Sequence, residues 1–522
     1  MGPYRVSGYL KVALLALFLT LLPLLAVGGE VKGDKPGKPD RVPWTGPVPK
    51  AHCGPNDRTE SGLQGQTTPF ERTSGLSELG FNCNLELVGQ FQGEGSKSWH
   101  MAWFDDCAYY GTNKNPLQQH LGVAVVDASD PRNPKASAYL DTPTMLDPHE
   151  SLKEHKGRKL LAGVQNTSFT NPLPPAAGFA IYDVSADCRH PVLQASISIP
   201  GSVGHAGNFT PDGMTYYGTH TTRIGLTAID ISDPTQPKLL GFIEQLVHDI
   251  SFSKDGTRAY IAQIGRFFTF SPLLGGPNGL AILDVSDFQF RRPNPQARVI
   301  SRLYWEDGSG AQQTLPVTYH GRPYLIFTDE NGSFGFGPTS RVDACAQGLP
   351  PHGFARIIDI TDETNPEIVA KLMLEVHDPA NCPVTLNDLP DPGSSLAYAA
   401  HYCNVDRVKN PTMLACTYQQ AGLRVFDIRD PFHPREIAYY KPPARRMAFL
   451  PGSNFWAAGR DRTVEHTASR VRFRKHKGEI ELWFNSADNA FQIVRFTNHL
   501  KEIGKDFDDG GGRDRDGSVD ND

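Results

Sequence analysis

The sequence predicts an all-β fold, a seven-bladed β-propeller closed by an N-terminal strand that completes the last blade. Three observations predict it. A unit recurs six times: GVAVVDASDPRNP from Gly122, GFAIYDVSADCRHP from Gly178, GLTAIDISDPTQP from Gly225, GLAILDVSDF from Gly279, FARIIDITDETNP from Phe354 and GLRVFDIRDPFHP from Gly422. Its marker aspartates, Asp127, Asp183, Asp230, Asp284, Asp359 and Asp427, lie 47 to 75 residues apart, a period that suits one small four-stranded sheet with variable loops. Each unit is also a strand with a hard stop. A run of β-branched and apolar residues is followed by Asp, Ser and Pro, which turn the chain and cannot continue a ladder. Finally, 39% hydrophobic residues, 50 Gly and 42 Pro among 522 residues, with few helical patterns, fit one large repeat domain.

These six registered units resemble the LVIVD-repeat family of bacterial β-propeller proteins, named for the same apolar run ending in Asp. The resemblance covers the chain from Leu85 to Leu500.

From the N-terminus, residues 1–29 carry Arg5 and Lys11, an apolar run from Val12 to Val27 broken by Pro23, and the small residues Gly28 and Gly29. This is the pattern of a secretory signal peptide, and it places the propeller outside the cytoplasm. The alternative is an uncleaved membrane anchor. Residues 30–84 form a lead-in: Gly33 to Pro49 reads as a linker, and Ala51 to Cys83 shows no clear period. Leu85 to Gln92 (LELVGQFQ) matches the outer strand Lys238 to Gln245 (KLLGFIEQ). Counting blades over residues 85–500 places inner strands near His100, His149, His205, His248, Gln313, His401 and Arg445. The last repeat strand, Ala490 to Thr497, has no outer strand after it, and Leu85 to Gln92 can fill that place. Arg470, Arg472 and Arg474 alternate along a strand of the last blade and read as a charged, solvated face. Residues 501–522 read as an acidic disordered tail; Asp514, Asp516, Asp520 and Asp522 faintly suggest a calcium loop but lack its closing Glu.

The eight cysteines include no C-x-x-C pair, which argues against a zinc ribbon or a redox motif. In an exported chain they imply disulfides; Cys53 with Cys83, and Cys382 with Cys403 or Cys345, are the pairings their places in long loops suggest. A net charge of -6 gives no reason to expect nucleic acid or an anionic membrane as partner. Asn166, Asn208 and Asn331 match the glycosylation acceptor pattern. No G-x-S-x-G, H-E-x-x-H or phosphate-loop motif is present.

The constellation that could carry chemistry is a set of histidines at the heads of the inner strands: His100, His149, His205, His248 and His401, with Gln313 and Arg445 lining the channel in the other two blades. Strand direction puts the long loops between second and third strands on the same face. Imidazoles converging on one axis could hold copper, iron or zinc, with Glu150 and Asp249 orienting the rings. The arrangement is similar in architecture to the selenium-binding proteins, propellers of the methanethiol oxidase group associated with copper, and more distantly to the copper-bearing propeller of nitrous oxide reductase. The simpler reading is that these histidines belong to the repeat consensus and satisfy backbone groups along a wet channel. Two functions follow from the sequence: a module that binds a small molecule or a protein at its loop-rich mouth, or a metal-dependent oxidoreductase using the histidine-lined channel.

Overall fold

The computed structural model describes residues 43–113, 115–166, 178–199, 204–220, 225–265, 276–337, 339–388, 396–446, 450–454, 462–498 and 500. The expected signal peptide and acidic tail, and most of the loop insertions 166–177 and 264–278, lie outside the described residues.

Seven antiparallel sheets form the blades, six of four strands and one of five; blades 1 to 6 each contain a four-stranded meander with the repeat unit as third strand. Blades 1 to 6 begin with the inner strands Ala102–Phe104, Lys153–His155, Gly207–Phe209, Ile250–Phe252, Ser309–Tyr319 and Ala400–Val405. The inner strand of blade 7 is Arg472–His476, followed by Glu479–Ser486 and Ala490–Phe496. Leu85–Phe91 pairs antiparallel with Ala490–Phe496, from Leu85 opposite Phe496 to Phe91 opposite Phe491. Phe81–Cys83 adds a fifth strand to blade 6 beside Arg435–Lys441. Among the described residues no helix is long and apolar enough to cross a membrane.

The third strands explain the repeat. Their apolar residues are buried on both faces, because each blade packs against a neighbour on either side. Seven apolar cores result, one for each pair of adjacent blades. The core between blades 7 and 1 joins Trp483, Phe491 and Ile493 to Met101, Trp103 and Val126, so the blades form a complete ring. The Gly that opens the unit is needed where the third strand meets the outer one: Gly122 has φ of +92°, and a Cβ there would lie 2.1 Å from the carbonyl oxygen of Leu140. Each marker Asp caps the turn that follows, as Asp230 does by accepting from the backbone N–H of Ser232 at 3.0 Å. Every blade carries a bulge in its outer strand just before that aspartate's register position, and Leu85–Phe91 carries it too, between Leu87 and Gly89.

Two segments differ from the sequence reading. Part of the expected linker runs beside the outer strand of blade 5: Val48 donates its N–H to the carbonyl of Met373 at 2.9 Å and is buried. The arginines of blade 7 are not a solvated face. Arg470 stacks 4.2 Å from the Trp103 ring and pairs with Glu154 at 3.0 Å, Arg472 stacks on Trp483 at 4.4 Å, and buried Arg474 pairs with Glu481 at 3.1 Å. Alternating charge looks the same in sequence whether the alternate side chains meet water or the indole faces of a neighbouring blade.

All eight cysteines are paired, as Cys53–Cys83, Cys107–Cys188, Cys345–Cys382 and Cys403–Cys416. Four disulfides are consistent with an extracytoplasmic location, since they persist where the surroundings are oxidising.

Candidate metal centre in the channel

Strand register fixes which residue each blade presents at the head of its inner strand. The residue opposite the marker Asp on the second strand is Cys107, Leu160, Thr215, Arg258, Tyr324 or Met413 in blades 1 to 6. The next residue pairs with Trp103, Glu154, Phe209, Phe252, Pro316 or Val405 on the inner strand. Four residues earlier stand Trp99, Glu150, His205, His248, Gln312 and His401. The equivalent in blade 7, aligned by its outer-strand bulge, is Ser469. The ring therefore holds three equivalent histidines, and in blades 1, 2 and 5 the residues named from sequence are displaced by one.

The side chains at these positions meet. Glu150 lies at the centre, its carboxylate 3.3 Å from His401 Nε2, 3.4 Å from His248 Nε2 and 3.6 Å from His205 Nε2. His149, beside it in sequence, adds a fourth Nε2 at 3.5 Å. It does so from a left-handed backbone conformation, φ of +51°, which His adopts more readily than most residues other than Gly. Gln312 Nε2 donates to Glu150 Oε2 at 2.9 Å and lies 3.1 Å from His401 Nε2. Glu330, from the end of the second strand of blade 5, places its carboxylate 3.6 Å from His401 and 3.9 Å from His248. Trp99 closes the ring between His401 and His149, with centroids 5.3 and 5.8 Å away.

Tautomers follow from the backbone. His248 Nδ1 is 3.0 Å from the carbonyl oxygen of Gln312, and His401 Nδ1 is 2.6 Å from that of Ala468. A carbonyl only accepts, so both Nδ1 atoms carry hydrogen, and in the neutral form of either ring Nε2 is the lone pair. Burial pushes the His248 imidazole down to about 3, so a second proton does not settle there near neutrality. Burial likewise holds His149 well below its ordinary range, helped by the charges of His205 and Lys97, and lowers His205. Burial, with Glu150 and Asp329 close by, raises Glu330 well above the carboxylate range. The His248 Nε2 lies 3.0 Å from His205 Nε2 and the His401 Nε2 3.1 Å from Gln312 Nε2, so in this structure those two nitrogens have donors beside them, and a cation would take the place of those hydrogens among the imidazoles and Glu150. The His149, Glu150 and His205 ligand atoms all lie within 4.8 Å of one another. Cys53, Asp57 and Cys83 are equally close, but those sulfurs are joined in a disulfide and offer no thiolate.

The other residues named from sequence lie elsewhere. His100 sits one layer deeper, its Nε2 3.0 Å from Lys153 Nζ. Asp249 faces the same lysine, at 3.5 Å, rather than an imidazole. Gln313 holds the backbone of Cys403, accepting from its N–H at 2.8 Å and donating to its carbonyl at 3.1 Å. Arg445 bonds Asn489 at 3.1 Å and is not on the inner strand of blade 7. Sequence reasoning missed Gln312, Trp99, Glu330 and Tyr402, whose O–H donates to Glu150 Oε2 at 3.1 Å. Counting back from the marker aspartates, rather than matching histidines, would have found the first two.

The repeat itself has a name. The chain carries an LVIVD repeat. The match covers residues 223–244, the third strand and outer strand of blade 3. No curated protein sequence matches the chain. Its backbone is similar to the periplasmic gluconolactonase PpgL of Pseudomonas aeruginosa, at 11% identity and a TM-score of 0.44 over 75% of this chain and 99% of that one. It is also similar to the hydrazine synthase of Kuenenia stuttgartiensis, at 12% and 0.43 over 79% and 97%, and to a putative 6-phosphogluconolactonase of Bacteroides fragilis, at 9% and 0.43 over 75% and 97%. At these scores none of the three bears on the chemistry of this LVIVD-repeat chain.

Proposed function

We propose that this propeller is a metal-dependent oxidoreductase whose ion is held in the channel by His149, His205, His248, His401 and Glu150, with Glu330 beside them. The observation that carries the reading is the meeting of four imidazole Nε2 atoms within 3.3 to 3.6 Å of one buried carboxylate. The donors are nitrogen and oxygen without thiolate, a set that suits copper, iron or zinc. The carbonyls of Gln312 and Ala468 orient two of the rings, the role that outer partners play at metal-ligating histidines. A small molecule would reach the ion from the side of His149 and His205, whose side chains keep 11% and 15% of their surface exposed while those of His248 and His401 keep 2% and 1%. Bound there, the ion would supply Lewis acidity or one-electron chemistry.

The same reading takes Leu85–Phe91 as the strand that fastens the ring, a role its shared outer-strand bulge supports, and takes the chain as exported to the periplasm, the cell surface or the medium. The deciding experiment is elemental analysis of protein matured in an oxidising compartment. About one equivalent of copper, iron or zinc, lost in a His248→Ala, His401→Ala double variant that remains folded, is expected. A folded, metal-free wild-type protein that takes up none of the three would refute the reading and leave the channel mouth as a site for organic ligands or proteins.

A further inference from the structure

We propose that Tyr402 is a redox-active side chain that gives up one electron and one proton at this centre, an inference that rests on the metal reading above. Tyr402 follows His401 on the inner strand of blade 6 and is fully buried. It touches two of the groups assigned to the ion. Its O–H donates to Glu150 Oε2 at 3.1 Å, and its ring centroid lies 5.0 Å from that of His401. Other buried phenols are used differently: Tyr109, Tyr319 and Tyr418 donate to the backbone carbonyls of Cys188, Ile428 and Leu372, which is how a phenol is satisfied when its role is packing.

The surroundings dictate that electron and proton leave together. Lys153 Nζ lies 5.3 Å from the centroid of the Tyr402 ring, an attractive contact for a neutral phenol and a repulsive one for a phenol radical cation. The proton must therefore go as the electron goes, and Glu150 is the acceptor within hydrogen-bond reach. With a peroxide as oxidant the step balances. The peroxide O–O bond breaks as it accepts two electrons, one from the ion and one from Tyr402. It also accepts two protons, the phenolic one relayed through Glu150 and one from solvent, and leaves as two molecules of water. A bound ion would start in its lower oxidation state, copper(I) or iron(II), and end one level higher, while Tyr402 would become a neutral tyrosyl radical, shielded from solvent by its burial.

The test uses the full chain loaded without oxygen with copper(I) or iron(II) alone, mixed with hydrogen peroxide, frozen, and measured by electron paramagnetic resonance beside elemental analysis of the same samples. A radical signal that narrows when the protein is made with ring-deuterated tyrosine is expected, lost in Tyr402→Phe and kept in Tyr418→Phe, with metal content unchanged in both. A signal that persists in Tyr402→Phe, or no tyrosyl signal from metal-loaded wild-type protein, would overturn the inference. So would a Tyr402→Phe protein that sheds its metal, because Tyr402 would then serve only to hold Glu150. Wild-type protein that binds no metal fails the earlier reading instead, and the elemental analysis tells the two failures apart.

Discussion

Replacing Glu60 by Gln tests how the lead-in is held to the propeller. Glu60 receives two hydrogen bonds from Arg424, at 2.7 and 3.1 Å, a longer one from Lys441 at 3.5 Å, and the N–H of Gly65 at 3.0 Å. Arg424 is fully buried on the third strand of blade 6 and keeps a second carboxylate, Glu436, at 2.9 Å. A Gln in place of Glu60 keeps one acceptor oxygen but turns an amide N–H₂ toward the guanidinium. One charge-assisted bond, worth about 1.5–3 kcal/mol, is lost. The Lys441 ammonium, already pushed down to about 8 by burial, loses its carboxylate and sheds its proton more readily, which limits the damage. The expected loss is about 3 kcal/mol, the low end for breaking a buried pair.

Glu86→Gln is the control. Its partner Arg495 is just as close, at 2.6 Å, but the two side chains are 44% and 31% exposed, and such a pair is worth at most about 1 kcal/mol. Urea unfolding of the two variants, with hydrogen exchange over residues 58–91, measures the contrast. The pH dependence has a definite sign. Burial raises Glu60, but Arg424 and Lys441 outweigh it and hold the carboxyl below its ordinary range. Its contribution is therefore complete above the ordinary carboxylate value and is lost as pH falls through the lower folded value, so the gap between wild type and Glu60→Gln should close in acid. Equal stability of Glu60→Gln and Glu86→Gln at neutral pH would refute the reasoning.

Removing the chain through Gln92 should leave the edge of Ala490–Phe496 unpaired and cause aggregation, read by light scattering, whereas removing only residues 33–42 should not. His248→Ala and His401→Ala should each lower metal affinity by at least about tenfold in competition with a chelator, the lower end for disturbing a metal's immediate surroundings. Replacing His190 or exposed His433, which pairs with Asp430 at 2.9 Å and has its ring 6.5 Å from that of Trp44, should leave it unchanged; loss from the second pair and not the first would put the site on the wrong face. Because burial keeps His248 neutral down to about 3, metal retention on acid titration should persist below the pH at which an exposed histidine site empties.

Much of the architecture was legible because the repeat is a physical object: Gly where the outer strand comes too close for a Cβ, an apolar run buried on both faces, and Asp at the turn. The candidate site was legible only in part. The histidine-rich strand heads stand out, but HMAWF and HAGNF share a His and a Phe at the same spacing, and matching on these misleads, because hydrogen bonding from Asp127 places Trp103, not Phe104, opposite Ala108. That one-residue slip hid Trp99 behind His100. Gln312 was hidden behind Gln313 because the strand bulges between Ala311 and Gln313, which adjacent glutamines cannot reveal. Glu330 lies beside Asp329 on a strand whose period alone does not say which acid faces the axis. Here a buried network joins Asp329 to Arg356 and Trp305, leaving Glu330 to the channel.

The pairing of Leu85–Phe91 with Ala490–Phe496 also governs when this molecule can finish folding. Glu86 and its partner Arg495 are separated by 409 residues, and Glu60 and Arg424 by 364. A ribosome delivers the first member of each pair long before the second exists. Throughout synthesis the early strand must wait, its N–H and C=O groups unmatched, while six blades accumulate behind it, and the long loop closures make the last step slow. In an oxidising compartment the Cys53–Cys83 link, spanning 30 residues, can form without the rest of the chain and limits how far the waiting segment wanders. The strand Ala490–Phe496 thus gains its outer partner from the start of the chain only after the final blade has been made.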